Sequence, residues 1–171
     1  MKKLILTIAI ILLATTANAW TINGIPINQF KAHPGKAVFG ATASVLAHCI
    51  SHHAAASLIG KSMRQEGFQE VWQGPYTRKE EAMVGRAGFV GQLALGYILN
   101  RAGADRDFMV GYNGWSFIEI STYKMIHGDK PRDARCDIGY ADLGNINASS
   151  NADAELALYI NTSLYLLKTT K

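Results

Sequence analysis

Apolar and polar positions along the chain alternate in four long stretches of helical period, separated by clusters of Gly, Pro, Asp and Asn. After His33-Pro34-Gly35 the chain runs to Glu66 with no further proline and only Gly40 and Gly60 as interruptions, so a first helix is expected over 36–65, stopped by Gly67. Thr77 with Glu80 and Glu81 forms a capping box that opens a second helix over 77–101. Asp105 or Asp107 caps a third over 106–126, and Ser150 with Asp153 three residues on opens a fourth over 150–168. Ahead of them, Asn23-Gly24 between short β-branched stretches predicts a small extended, hairpin-like arm over Trp20 to Ile27. His127 to Asn147, rich in Gly, Asp and Asn and carrying Pro131, reads as a loop of about twenty residues. The expected architecture is all-α: a compact bundle of about four helices forming one domain over 20–171, with no internal repeat.

Wound at 100° per residue, the first helix gathers Val38, Ala41, Val45, His48, His52, Ile59 and Met63 into one sector, with Cys49 and His53 at its flank. Two imidazoles thus project into the stripe expected to face the core. The second helix is apolar nearly all round; Gly85, Gly88, Gly91 and Ala94 allow close backbone approach, and Arg86 and Gln92 are the polar exceptions. A buried guanidinium needs a carboxylate partner, because an unpaired buried charge costs several kcal/mol; the alternative is that Arg86 reaches the surface along its stem. In the third helix Glu119 shares a face with Phe108, Tyr112, Trp115, Tyr123 and Ile126, where a carboxylate is paired, protonated or bound to a metal. Asn161 sits among Ala154, Ala157, Leu158, Leu164 and Tyr165 of the fourth helix and reads as a core amide. Arg86, His53 and Asn161 are therefore the expected buried polar side chains beside His48, His52 and Glu119.

The first nineteen residues stand apart. Lys2 and Lys3 precede an apolar run from Leu4 to Ala14, and Ala17-Asn18-Ala19 has the small-x-small form of a cleavage site, the three parts of a secretory signal peptide. The expected mature chain starts at Trp20 in the periplasm or outside the cell, where a disulfide between Cys49 and Cys136 is permitted. Of the 171 residues 49% are apolar and 18% charged, with a formal charge of +4. That composition excludes a disordered chain, and with no run of basic residues it gives no nucleic-acid patch. Two cysteines cannot make a disulfide-dense scaffold. Ala82 to Leu99, polar only at Arg86 and Gln92, also admits a small integral membrane protein.

The sharpest chemical signal is His48-Cys49-Ile50-Ser51-His52, since histidines at i and i+4 lie one turn apart on one helical face and both reach a single ion. The segment from Leu46 to Ala55 resembles the His-Glu-x-x-His helix of zincin metallopeptidases, with Cys49 where that family has its water-activating glutamate. The resemblance implies a metal-binding helix for zinc or another divalent ion on a scaffold without ordinary peptide hydrolysis, since a metal-bound water still needs a base. Glu119 is the preferred third ligand, and Asp142, Asp153 and Glu155 compete for the role. Against it stands a reading of His48 and His52 as neutral, hydrogen-bonded core histidines. A third reading pairs Cys49 with His52 or His53 as an activated thiol. The acidic residues of the 127–147 loop do not have the spacing of an EF-hand.

Three classes follow. The first is a noncatalytic exported module that binds an envelope protein, a peptide or a lipid. The second is a divalent-metal-binding or degenerate zincin-like protein using His48, His52 and Glu119, which as an enzyme would be a metal-dependent hydrolase. The third is a small integral membrane protein.

Overall fold

The computed structural model describes residues 21–22, 25–26, 31–66, 69–127 and 148–171. The expected leader over 1–19 and the 128–147 segment, with Cys136 and Asp142, lie outside the described residues. The arm is present as two short antiparallel strands, β1 (Thr21–Ile22) and β2 (Ile25–Pro26), with Ile22 opposite Ile25.

Helix α1 (Pro34–Leu58) starts with a proline whose missing N–H costs nothing in the first turn, after His33 in extended conformation. It ends seven residues earlier than the sequence predicts. Gly60 takes a left-handed φ of 70°, the Lys61 N–H closes back on the Ala56 carbonyl at 2.9 Å, and the Gly60 N–H closes on that of Ser57 at 3.0 Å. This is a Schellman stop, and only glycine takes its left-handed position without strain. The released chain forms a hairpin that helical periodicity does not predict, β3 (Ser62–Glu66) against β4 (Gln69–Gln73), with Met63 opposite Trp72. Tyr76 ties the hairpin down. Its hydroxyl donates to the Ser62 carbonyl at 2.8 Å and its ring meets Trp72 edge-on at 4.8 Å.

Helix α2 (Arg78–Arg101) opens on the predicted capping box: the Glu80 N–H donates to Thr77 Oγ1 at 3.3 Å, and the Thr77 N–H donates to Glu80 Oε2 at 2.7 Å. Thr77→Ala removes one half of that reciprocal pair and is expected to cost about 1 kcal/mol, read as a lower melting temperature with unchanged helix content. Helix α3 (Arg106–His127) is capped by Asp105, whose Oδ1 accepts from the Asp107 and Phe108 N–H groups at 3.0 and 3.1 Å. Lys36 Nζ donates to the same carboxylate at 2.6 Å and pins the start of α1 there. The Lys36 ammonium, followed by the Phe108 N–H, holds the Asp105 carboxyl below its ordinary value. Helix α4 (Ala148–Thr169) completes a four-helix bundle.

Within the bundle α1 packs against α2 and α3, and α4 closes on the other side of that pair. The α1–α3 crossing is backbone to backbone. A Cβ on Gly40 would overlap the Phe108 carbonyl, and one on Gly111 would overlap that of Ala37. Two clusters fill the interior: Phe89, Leu93, Ile120, Tyr123, Leu156, Tyr159 and Leu166 between α2, α3 and α4, and Ala47, Met109 and Tyr112 between α1 and α3. The buried face of α1 is built from small residues, Ala37, Gly40, Ala41, Ser44, Ala47 and Ala56, together with His48 and His52. Val38, placed in the inward sector by periodicity, is 45% exposed.

Candidate functional site

Ser44, His48 and His52 stand one turn apart on α1, and all three are buried. Opposite them α2 presents Gln92, wholly buried, and α3 presents Ser116 and the half-buried Glu119. One side chain joins the three helices. Gln92 Nε2 donates to Ser44 Oγ at 2.7 Å and to Glu119 Oε2 at 2.9 Å. Because a carboxylate only accepts, Glu119 fixes the amide's orientation and turns Gln92 Oε1 toward His48 Nδ1, 3.4 Å away. Trp115 Nε1 adds a second donor to Glu119 Oε2 at 3.1 Å. Ser116 Oγ donates to the Tyr112 carbonyl at 3.0 Å, which leaves Ser44 to donate across the 2.9 Å contact between the two serines. The Tyr112 hydroxyl donates to the Gln92 carbonyl at 2.9 Å, so α3 holds both ends of that residue.

The histidines make their own pair. His52 Nδ1 lies 2.7 Å from the Val84 carbonyl, an acceptor, so that nitrogen carries hydrogen; His48 Nδ1 faces the Gln92 amide oxygen by the same logic. The two Nε2 atoms then meet at 3.0 Å, with the rings edge-on at 4.7 Å. Phe89 closes the His48 side, ring to ring at 4.9 Å. Gly88 closes the other, since a Cβ there would strike His52 Nε2 and His48 Cε1. The two imidazole nitrogens share a pocket whose α2 wall is a bare Cα.

The residues singled out from sequence divide accordingly. His48, His52 and Glu119 reach one polar cluster, but Gln92 stands between the histidines and the carboxylate. No group of three His, Cys, Asp or Glu side chains able to hold a metal ion occurs among the described residues. Cys49 and His53 are half-buried at the flank of the stripe. Two expectations of burial are corrected. Arg86 is exposed and forms a two-pronged pair with Glu155, Nε to Oε1 at 3.0 Å and a second nitrogen to Oε2 at 3.2 Å, to which the Tyr159 hydroxyl also donates. Asn161 is exposed too: the stripe it belongs to, with Leu158 and Tyr165, faces away from the bundle. Glu155 is thereby occupied, and Asp153 is exposed. Sequence reasoning gives no role to Ser44 or Ser116. The signal available for Ser44 is its place four residues ahead of His48 on the same stripe. Comparison with protein-family models, with curated proteins and with solved structures gives no match to this chain.

Proposed function

We propose that the chain is an exported, noncatalytic helical module of the cell envelope, in which the polar side chains of the core tie three helices together. The carrying observation is Gln92, whose amide spends both its groups inside the bundle, on Glu119 and Ser44 on one side and His48 on the other. A zincin-like hydrolytic reading would need Glu119 beside the imidazoles, or an acid or base at the position of Cys49. Instead the carboxylate takes its hydrogen bonds from Gln92 and Trp115. Hydrogen bonds such as those of the Gln92 amide to Ser44 and Glu119 rigidify and specify a core, because each buried polar group left unpaired costs about 1–3 kcal/mol.

One observation favours a second reading, a divalent-metal-binding protein. Both histidines hold Nδ1–H against oxygen acceptors and turn Nε2 toward each other, the orientation that outer hydrogen-bond partners impose on metal-ligating histidines. Their 3.0 Å separation is close to the roughly 3.3 Å expected of two nitrogens on one tetrahedral zinc. Metal analysis of untagged protein separates the two readings. The structural reading expects less than about 0.1 divalent ion per chain and a melting temperature unchanged by chelator, whereas His48→Ala with His52→Ala lowers it. Near-stoichiometric zinc that disappears in the double variant would replace the structural reading with the metal one.

A further inference from the structure

We infer that the partner of this envelope module is the lipid bilayer itself, with the four helices spanning the hydrocarbon region. The inference rests on the envelope reading and names its partner. Its ground is the chemistry of the outer faces. In a water-exposed bundle the face turned away from neighbouring helices carries Lys, Glu and Arg. Here that face is mainly apolar, with Arg86 and Asn161 as exposed polar members. Phe39, Leu46 and Ile50 of α1 are 68%, 55% and 63% exposed, Ile98 of α2 is 58%, and Leu158 and Tyr165 of α4 are 62% and 58%. No Asp, Glu, Lys or Arg occurs between Lys36 and Lys61, between Arg86 and Arg101, between Asp107 and Glu119, or between Glu155 and Lys168.

The charges collect at the two ends. At one end Lys36 meets Asp105 and Arg106 reaches the Lys31 carbonyl; Arg101 and Lys168 close the neighbouring helices there. At the other end stand Lys61, Arg78 and Glu80; the Arg86–Glu155 ion pair lies about a third of the way along α2 and α4, each charge held by the other. Counted with the charged residues they contain, the helices have matching lengths of 25, 24, 22 and 22 residues. At 1.5 Å per residue they run about 33–38 Å, enough to cross a hydrocarbon core of about 30 Å with some tilt. Among the described residues helix α2 alone is long and apolar enough to be a candidate span by composition. In α1 and α3 the polar residues His48, His52 and Asn113 are buried and Glu119 is half-buried, whereas Asn161 of α4 is exposed.

The interior fits the same solvent. In lipid, helices associate through small residues that let backbones touch and through buried polar side chains, and ionisable groups face the bundle in pairs. Gly40 and Gly111 make such a crossing, and the Ser44–Gln92–Glu119 chain such a polar tie.

The test expresses the full chain with its own leader in a bacterial host and washes the membranes with alkaline carbonate. The chain is expected to stay in the washed membrane and to require detergent for a monodisperse preparation. Leu46→Lys with Ile50→Lys, two changes on an exposed face, is expected to cut the carbonate-resistant fraction at least tenfold. Because such a variant could be lost in the cell, a second measurement uses the protein with Trp115 as its only tryptophan (Trp20→Phe, Trp72→Phe) in phosphatidylcholine vesicles with brominated acyl chains, where its emission should fall by at least half. Recovery in the soluble fraction as a monomer, as a dimer that closes this face, or in a carbonate-extractable complex with another protein overturns the inference, as does unquenched emission. Stoichiometric zinc in carbonate-resistant protein would instead sink the noncatalytic reading and leave the bilayer standing.

Discussion

Gly111→Val is expected to abolish cooperative unfolding, or to lower stability by at least about 3 kcal/mol out of the roughly 5–15 that hold a domain together. The reason is the identity of the obstacle. A side chain at Gly111 meets the Ala37 carbonyl and Cα, and one at Gly40 meets Phe108 and Tyr112 backbone atoms, so no flexible side-chain end can swing aside. Relief requires α1 and α3 to part, which also opens the Ala47, Met109 and Tyr112 cluster and the Ser44–Ser116 contact. Gly114, on the same helix, has nothing within 4 Å of its added Cβ. Gly114→Ala should be neutral or stabilising by up to about 1 kcal/mol, through helix propensity alone. Thermal melts followed by circular dichroism in one medium read both changes. A Gly111→Val protein melting within about 2 °C of the parent would refute the backbone-contact account.

Gln92→Leu should cost about 2–4 kcal/mol although volume and helix propensity barely change. Leucine keeps the packing but removes the donor to Ser44 and Glu119 and the acceptor facing His48, leaving the Glu119 carboxylate with Trp115 and the Ser44 oxygen without its donor. The diagnostic is the double variant. Adding Glu119→Leu deletes the under-solvated carboxylate together with its lost partner, so it should recover about half of the single-variant loss. Strict additivity in the cycle would show that the two side chains do not work as one tie.

Local chemistry makes much of this fold legible in the sequence. The Thr77 capping box, the Asp105 cap and the helical periods depend on residues a few positions apart, and those helices begin within about two residues of their expected starts. The hairpin is hidden because Lys61, Ser62, Met63, Arg64, Gln65 and Glu66 are all tolerable helix residues; what ends α1 is the single left-handed Gly60. Arg86 and Asn161 mislead for a different reason. Burial is expected of both only if an apolar stripe faces inward, and in α4 the stripe of Leu158 and Tyr165 faces outward. The candidate site is half legible. His48 and His52 are paired by their own spacing, whereas the role of Gln92 depends on side chains 27 and 48 positions away that no local pattern brings together.

The α1–α3 crossing also bears on the order in which the chain assembles. The Ser44–Ser116 contact spans 72 positions, so α1 leaves the ribosome well ahead of the helix that covers its small-residue face. At about 5–20 residues per second that interval lasts several seconds, far longer than the microseconds in which a helix forms. The hairpin and α2 are made first, and α2 covers His48 and His52 through Val84, Gly88, Phe89 and Gln92, so the part of α1 that waits for α3 is its Ala37, Gly40 and Ser44 face. The close α1–α3 crossing therefore cannot form until both Gly40 and Gly111 have been made.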